Sequence, residues 1–413
     1  MGTLKSFIFI LSSACVLNAE GLDGLIEKLK NNDSLQSAIL DEQKSVVQKN
    51  AALTAYSPKL EGIGTYYKKT NAVVFDPKEV RSGELKASMV LFDGLKRESR
   101  YDSAKKNAEA SAYKTKYAKQ SLMLETIREY YAYFDAKSAL EAIKFKQSEL
   151  DSNIKKLTIL TQNGLATKDT LEAVVAAKKD AEFEESNILL AMENSILKLE
   201  LYTNSTVDTL TLATLKEPLS VNANGRDDIK ADKLTVESLR SAQGQSTYMP
   251  TLLLQDSVKR YKYSTYDDMG GLQKLPTNNN ELTLQLSFTL FDFGYIKKER
   301  EIASLETMSA AKQLSYKEQS VKIEAKLRKS ELEAVKKKLE AAKASLEATS
   351  TTYNYSKKRF DANLIGYTDY LTELSKKQDA MSRAKSAEFN LEIKKAELAF
   401  AVGIDLETLV KGN

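Results

Sequence analysis

Two aspartates recur in one pattern and are the side chains best placed to act. Asp169 stands in Asp169-x-Leu171 and Asp369 in Asp369-x-Leu371, each at the start of a helical run. A carboxylate in the first turn of a helix is held by the helix dipole and the orphan amides, which is a structural role. Its other use is electrostatic: it draws cations and turns anions away. Catalysis finds no footing. The chain has no His, which removes the commonest general base and metal ligand, and with them hydrolytic triads and zinc sites. No acids cluster in an expected pocket either. The reading is a protein that is not an enzyme, with no cofactor and no metal centre.

The elements that must carry these acids are long helices. The 413 residues hold 16 Gly and 5 Pro, and the crowding of Ala, Glu, Lys, Leu and Ser belongs to long helices or coiled coils. From Leu95 to Gln162 there is neither Pro nor Gly, so an unbroken helix would reach about 100 Å. Ile143, Leu150, Ile154 and Leu157 keep coiled-coil spacing along it. A second such run, Ile296 to Phe360, carries Leu332, Val335, Leu339, Ala342, Leu346, Thr349 and Tyr353 at three-four spacing. Each long helix turns at a short break into a return helix, as antiparallel neighbours do.

Before each long helix lies a hairpin. In the stretch Leu282 to Gly294, the residues Leu282, Leu284, Leu286, Phe288 and Leu290 alternate with Thr283, Gln285, Ser287 and Thr289. Period two sends the apolar set to one face of a strand and the polar set to the other. A tilted membrane-barrel strand needs roughly 9–11 such residues. Glu84 to Gly94 ends in the same Leu-Phe-Asp-(x)-Gly. Tyr66, Tyr67, Tyr261, Tyr263 and Phe291 are either interface girdles or ordinary strand aromatics. Lys96, Arg97, Arg100, Lys297, Lys298 and Arg300 oppose the dipole at the helix starts. They serve lipid phosphates or the barrel exit, or they form a solvated face.

The chain divides accordingly. Residues 1–19 form an export signal, with Lys5, an apolar run and Ala19 at the cut. Cys15, the sole cysteine, lies inside it and is alternatively a lipidation site. The first repeat, 20–225, holds a helix, a hairpin over 60–92 and a long helix over 95–162. A return helix over 168–203 and a mixed segment over 204–225 complete it. The second repeat, 226–413, holds a helix, a hairpin over 252–291, a long helix over 296–360, a return helix over 368–402 and a short tail. Residues 71–82 and 264–280 are loops. Charge is nearly balanced, with 61 basic against 57 acidic side chains, so nucleic acid is not an expected partner. No later apolar run approaches the ~18 residues of a spanning helix.

Two Tyr-x-Pro-x-Leu motifs (Tyr56 to Leu60, Tyr248 to Leu252), two Leu-Phe-Asp-(x)-Gly strand ends and two Asp-x-Leu turns occur in the same duplicated order. In this the chain resembles the TolC family of outer-membrane efflux proteins over nearly its whole mature length. The resemblance implies a mainly α fold with membrane β. Three protomers give four strands each to a 12-stranded β-barrel, continued by an antiparallel α-helical coiled-coil barrel. It implies an outer-membrane location reaching into the periplasm. The implied role is a passive exit duct for a tripartite efflux pump or type I secretion system. Its partners would be a homotrimer's other copies, outer-membrane lipid, a periplasmic adaptor, and an inner-membrane RND or ABC transporter.

The resemblance makes the turns below the long helices the periplasmic tip, with Asp369 at the first acidic position of a constriction and Asp169 its first-repeat counterpart. The second acidic position falls on Thr372, with Glu373 adjacent and about 100° further round the helix. A gate tyrosine of the family falls on Phe360, which has no hydroxyl. Gly164, Leu165, Ala166 and Thr167, with Leu364, Ile365, Gly366 and Tyr367, become adaptor-docking tips, or else pack helix to helix within a trimer. The competing class is a periplasmic coiled-coil adaptor or scaffold, which has no need of duplicated amphipathic hairpins.

Overall fold

A computed structural model describes residues 20–70, 77–218, 225–264, 275–362 and 364–410. The expected export signal, Cys15 and Asn363 lie outside the described residues. The order is α1 (Leu22–Lys28), α2 (Asp33–Thr54), β1 (Lys59–Lys68), β2 (Glu79–Phe92), α3 (Lys96–Gln162), α4 (Lys168–Thr203) and α5 (Asp227–Ala242). Then come β3 (Thr251–Ser264), β4 (Asn278–Ser287), α6 (Tyr295–Asp361), α7 (Tyr367–Val402) and α8 (Glu407–Val410). The long helices α3 and α6 run 67 residues each, and the return helices α4 and α7 run 36 each.

Two compact units divide these elements, and the division falls inside α2, α3 and α6 rather than between the repeats. One unit is Met1–Ser37, Lys116–Arg226 and Ser320–Asn413; the other is Ala38–Thr115 and Asp227–Gln319.

In the first unit, Leu22, Leu25, Ile26 and Leu29 of α1 meet Met123, Ile127, Tyr130, Tyr131 and Phe134 of α3, with Leu199, Phe389, Leu406 and Leu409. Buried tyrosines need hydroxyl partners. Here the segment after α4 supplies them: Tyr131 donates to the Ala213 carbonyl at 2.9 Å and Tyr130 to that of Thr211. That fixes the Thr-rich stretch as ordered coil. Nearby, Glu397 is 7% exposed and accepts from Arg128 at 2.7 Å, Lys394 at 2.7 Å and Arg328 at 3.0 Å. Burial would raise its pKa, yet Lys394 and Arg128 hold it below the usual carboxylate range.

The second unit contains a four-stranded antiparallel sheet in the order β1-β2-β3-β4. Its strands differ from the sequence reading at three ends. β2 starts at Glu79 rather than Glu84, because Glu79 to Gly83 is paired on both sides, with Lys68 to Gly64 of β1 and with Ser264 to Arg260 of β3. Asn278 to Asn280, expected in a loop, join β4 opposite Arg260 to Val258. At the other end β4 stops at Ser287, so Phe288 and Leu290 of the expected hairpin 252–291 lie beyond the strand. Ser287 pairs with Thr251, and the residue before Thr251 is Pro250, which has no N–H to continue the ladder.

The repeated strand ends form the junction to the long helices. Gly94 and Gly294 have φ of 73° and 84°, a region that costs other residues about 1–2 kcal/mol. The aspartate of each Leu-Phe-Asp then caps the helix: Arg97 N donates to Asp93 at 3.0 Å and Ile296 N to Asp292 at 2.8 Å. The Tyr-x-Pro-x-Leu tyrosines close the same corner. Tyr248 donates to Asp292 at 3.1 Å, and the Arg97 guanidinium lies 4.7 Å from the Tyr56 ring centre.

Candidate functional site

Two regions carry the features read from the sequence: the tip where the long helices turn back, and the sheet.

At the tip, α3 ends in a turn where Gly164 has φ of 71° and Leu165 N donates to the Leu160 carbonyl at 2.8 Å. The second-repeat turn repeats the bond from Leu364 N to Arg359, also at 2.8 Å. Such six-to-one bonds satisfy helix-end carbonyls. The apolar contact that often accompanies them is not made here, and Leu165 and Leu364 are 74% and 70% exposed. Gly164, Thr167 and Gly366 are exposed, while Ala166 and Ile365 pack partly against the core below. Tyr367, expected in the docking tip, is buried instead, with its ring 5.6 Å from Phe360.

Asp169 is exposed in the first turn of α4, and hydrogen bonds from Thr167 and from backbone amides hold its carboxyl below the usual range. Asp369 is exposed in the first turn of α7. Thr372 spends its hydroxyl on the Thr368 carbonyl at 2.9 Å, and Glu373 pairs with Lys376 at 2.8 Å. None of these four makes a cluster within the chain that could hold a metal, and no such cluster occurs among the described residues.

Near these residues lies a polar group that no motif in the sequence marks. Phe360 stacks on Tyr370 at 4.8 Å, inside a core of Ile143, Leu150, Leu157, Val174 and Leu374. The Tyr370 hydroxyl donates to Glu149 of α3 at 2.7 Å, and Lys357 of α6 donates to the same carboxylate at 2.7 and 2.8 Å. Burial pushes the Glu149 pKa up, but Lys357, Tyr370 and Tyr353 together pull it below the usual range. Lys377 sits 4.3 Å from the Tyr353 ring centre and 4.4 Å from that of Phe145, and burial lowers its pKa. One carboxylate thereby ties α3, α6 and α7. The available signal was a pair of tyrosines, Tyr353 and Tyr370, at core spacing, because a buried hydroxyl demands a partner.

In the sheet, residues directly opposite share a face. Leu282, Leu284 and Leu286 stand opposite Asp256, Leu254 and Leu252, and these continue to Ala87, Met89 and Phe92. Leu85 and Val258 extend this leucine face. Asp256 is its one acid among the described residues below Glu79. The opposite face carries Thr283, Gln285, Glu281, Ser257, Lys259, Glu84, Lys86, Glu61 and Lys59, laced by ion pairs such as Lys59–Glu61 at 2.6 Å and Lys259–Glu84 at 3.4 Å.

Of the five aromatics read as girdles, the register puts Tyr66 on the leucine face and Tyr67, Tyr261 and Tyr263 on the polar one. Phe291 lies past the strand. The basic helix starts are also partly spoken for. Arg97 donates to the Val90 carbonyl at 2.7 Å, Arg300 to that of Ser246 at 2.6 Å, and Lys298 pairs with Glu301 at 2.7 Å. Arg97 and Arg300 thereby brace the chain locally, and Lys298 pairs within its own helix. Among the described residues no helix is long and apolar enough to cross a membrane.

A mainly helical chain with duplicated long helices and one two-faced sheet of four strands defines a fold, the TolC-like one. Solved structures share it. The CmeC outer membrane channel of Campylobacter jejuni aligns with a TM-score of 0.82 at 16% identity, covering 92% of this chain and 85% of that one. The MtrE outer membrane channel of Neisseria gonorrhoeae aligns at 0.80 and 18% identity, covering 93% and 89%. The outer membrane protein VceC of Vibrio cholerae aligns at 0.80 and 14%, covering 93% and 96%. Identities this low speak for the fold. In sequence, the model of the outer membrane efflux protein family matches residues 25–205, from α1 past the end of α4. The likeness to the outer membrane efflux protein family thus covers residues 25–205 in sequence, and the likeness of fold extends over nearly the whole chain. No curated protein matches the sequence.

Proposed function

We propose that this chain, as a homotrimer, is the passive exit duct of a tripartite efflux pump or type I secretion system. An inner-membrane RND or ABC transporter supplies the energy, and a periplasmic adaptor engages the tip. The observation that carries the reading is the sheet, apolar on one face and charged on the other, with β1 and β4 as open edges. Unpaired edge amides cost several kcal/mol each in lipid. Four strands are also too few to close a membrane barrel, whose smallest form has about eight. Copies of the chain pairing β4 to β1 remove both defects. The leucine face then meets lipid, and the ion-paired face lines the passage.

At the tip, the exposed Leu165 and Leu364 offer an adaptor apolar contacts beside Gly164, Thr167 and Gly366. The tip opens when α6 and α7 shift against α3, which strips Glu149 of Lys357 and Tyr370. Asp369 and Asp169, repeated around a trimer, present carboxylates to what passes. Single-channel recording of the detergent-extracted protein in planar bilayers tests this. Discrete conductance from a heat-modifiable trimer is expected, and D169A/D369A should raise it or weaken block by polyvalent cations. A water-soluble monomer without conductance would instead favour a periplasmic adaptor or scaffold.

A further inference from the structure

At its hairpin end the leucine face carries two asparagines on β4, Asn280 opposite Val258 and Asn278 opposite Arg260; across the other strands the leucines give way to charge. Above Leu85 and Val258 come Gly83 opposite Arg260, then Tyr66, Arg81 and Lys262 side by side across β1, β2 and β3. The next row holds Lys68, which pairs with Glu79 at 3.0 Å. Arg81, Arg260 and Lys262 are exposed, and none makes an ion pair among the described residues. Arg81 only lies over the Tyr66 ring, at 5.6 Å, and Arg260 only reaches the Lys259 carbonyl at 3.5 Å.

Like charges directly opposite on a sheet face destabilise it, yet Arg81 and Lys262 are such a pair, with Arg260 one row below. Nothing on the polar face repels its neighbours in this way, because there acids and bases alternate across the strands. The cluster also sits immediately above the apolar rows, where acyl chains give way to headgroups if the leucine face meets lipid. Guanidinium forks suit phosphate oxygens, and an aromatic ring beside them suits the interface.

We propose that Arg81, Arg260 and Lys262 form a binding site for the phosphorylated headgroup of an outer-leaflet lipid, with its acyl chains lying on Leu85, Val258 and the leucines beyond. The site lies on the outside of the barrel, so it holds lipid and does not touch what is exported. The proposal rests on the leucine face being the lipid-facing one.

The test uses the full-length protein in phosphatidylcholine nanodiscs. Bound lipid is counted by native mass spectrometry after titration with bisphosphorylated lipid A, with its dephosphorylated form, and with inorganic phosphate. Wild type should bind lipid A, bind the dephosphorylated form far more weakly, and gain nothing from inorganic phosphate alone. R81Q/R260Q/K262Q should lose affinity by roughly a hundredfold, from about 1 kcal/mol for each cation at a membrane surface. K59Q/K86Q, which removes cations from the polar face, should bind as wild type does. Equal binding by the triple variant, equal loss in K59Q/K86Q, or equal binding of dephosphorylated lipid each overturns the site. Saturation by inorganic phosphate alone overturns the lipid as its occupant. Conductance is recorded on the same preparations. A triple variant that conducts normally yet loses lipid A is the expected result and confirms that it folds. Absent conductance with lipid binding intact counts against the channel and leaves the lipid site standing.

Discussion

The Tyr370 hydroxyl donates to the Glu149 carboxylate at 2.7 Å, joining α7 to α3 where Lys357 already joins α6 to the same oxygens. A hydrogen bond to a charged group contributes about 1.5–3 kcal/mol. Tyr370→Phe should therefore loosen the tip by an amount of that order while leaving the ring packed on Phe360. The expected readout is a longer open time in single-channel records, with little change in trimer dissociation temperature. Unchanged gating in Y370F and in E149Q alike would free this contact from any part in opening.

The same carboxylate sets a pH dependence. Its folded pKa lies below the ordinary value of 4.5, so its contribution is complete above that value and is lost as the pH falls through the lower, folded one. Acidification below about pH 4.5 should raise the open fraction of wild type. E149Q should be open already and insensitive over that window, which bilayer recordings across a pH series would check.

Glu397 faces three cations. Removing one partner from a buried ion cluster costs about 3–5 kcal/mol where the remaining charges stay unpaired; here Arg128 keeps Glu125 and both Lys394 and Arg328 keep Glu331, which puts the cost at the low end. Glu397→Ala should lower the melting temperature, and R128A should cost less, since Lys394 and Arg328 remain on the carboxylate. Circular dichroism melts of the two variants make the comparison.

The two faces of β4 should respond oppositely to one substitution. Leu284→Lys puts a charge on the leucine face, at about 2–4 kcal/mol in lipid, and should reduce the yield of folded trimer. Thr283→Lys, its neighbour on the polar face, should fold normally and alter conductance or ion selectivity. Asp256→Leu removes the acid from the leucine face and should stabilise the trimer. If T283K is the more damaging of the pair, the faces have been assigned the wrong way round.

Gly403 ends α7 at φ of 79°, and a Cβ there would lie 2.6 Å from the Arg226 amide nitrogen and 2.7 Å from the Gly225 carbonyl carbon. Both are backbone, so neither can swing aside. Gly403→Ala should cost more than the ~1–2 kcal/mol of the left-handed conformation alone. A thermal melt within experimental error of wild type would refute this.

What residue order decided here is what repeats and what alternates. Period two over Leu282 to Ser287, the absence of Pro and Gly through the long helices, and the doubled Leu-Phe-Asp reflect local backbone geometry and are readable without any partner. Their meaning at the ends was not. β2 extends back to Glu79 because it has a strand on each side, and β4 stops at Ser287 because Pro250 offers Phe288 no donor. The tyrosines took their faces from register, which depends on which strand lies beside which. The hold on Glu149 comes from side chains more than two hundred residues away in the chain. Tertiary packing alone chose the partner for a hydroxyl that the sequence could only show to need one.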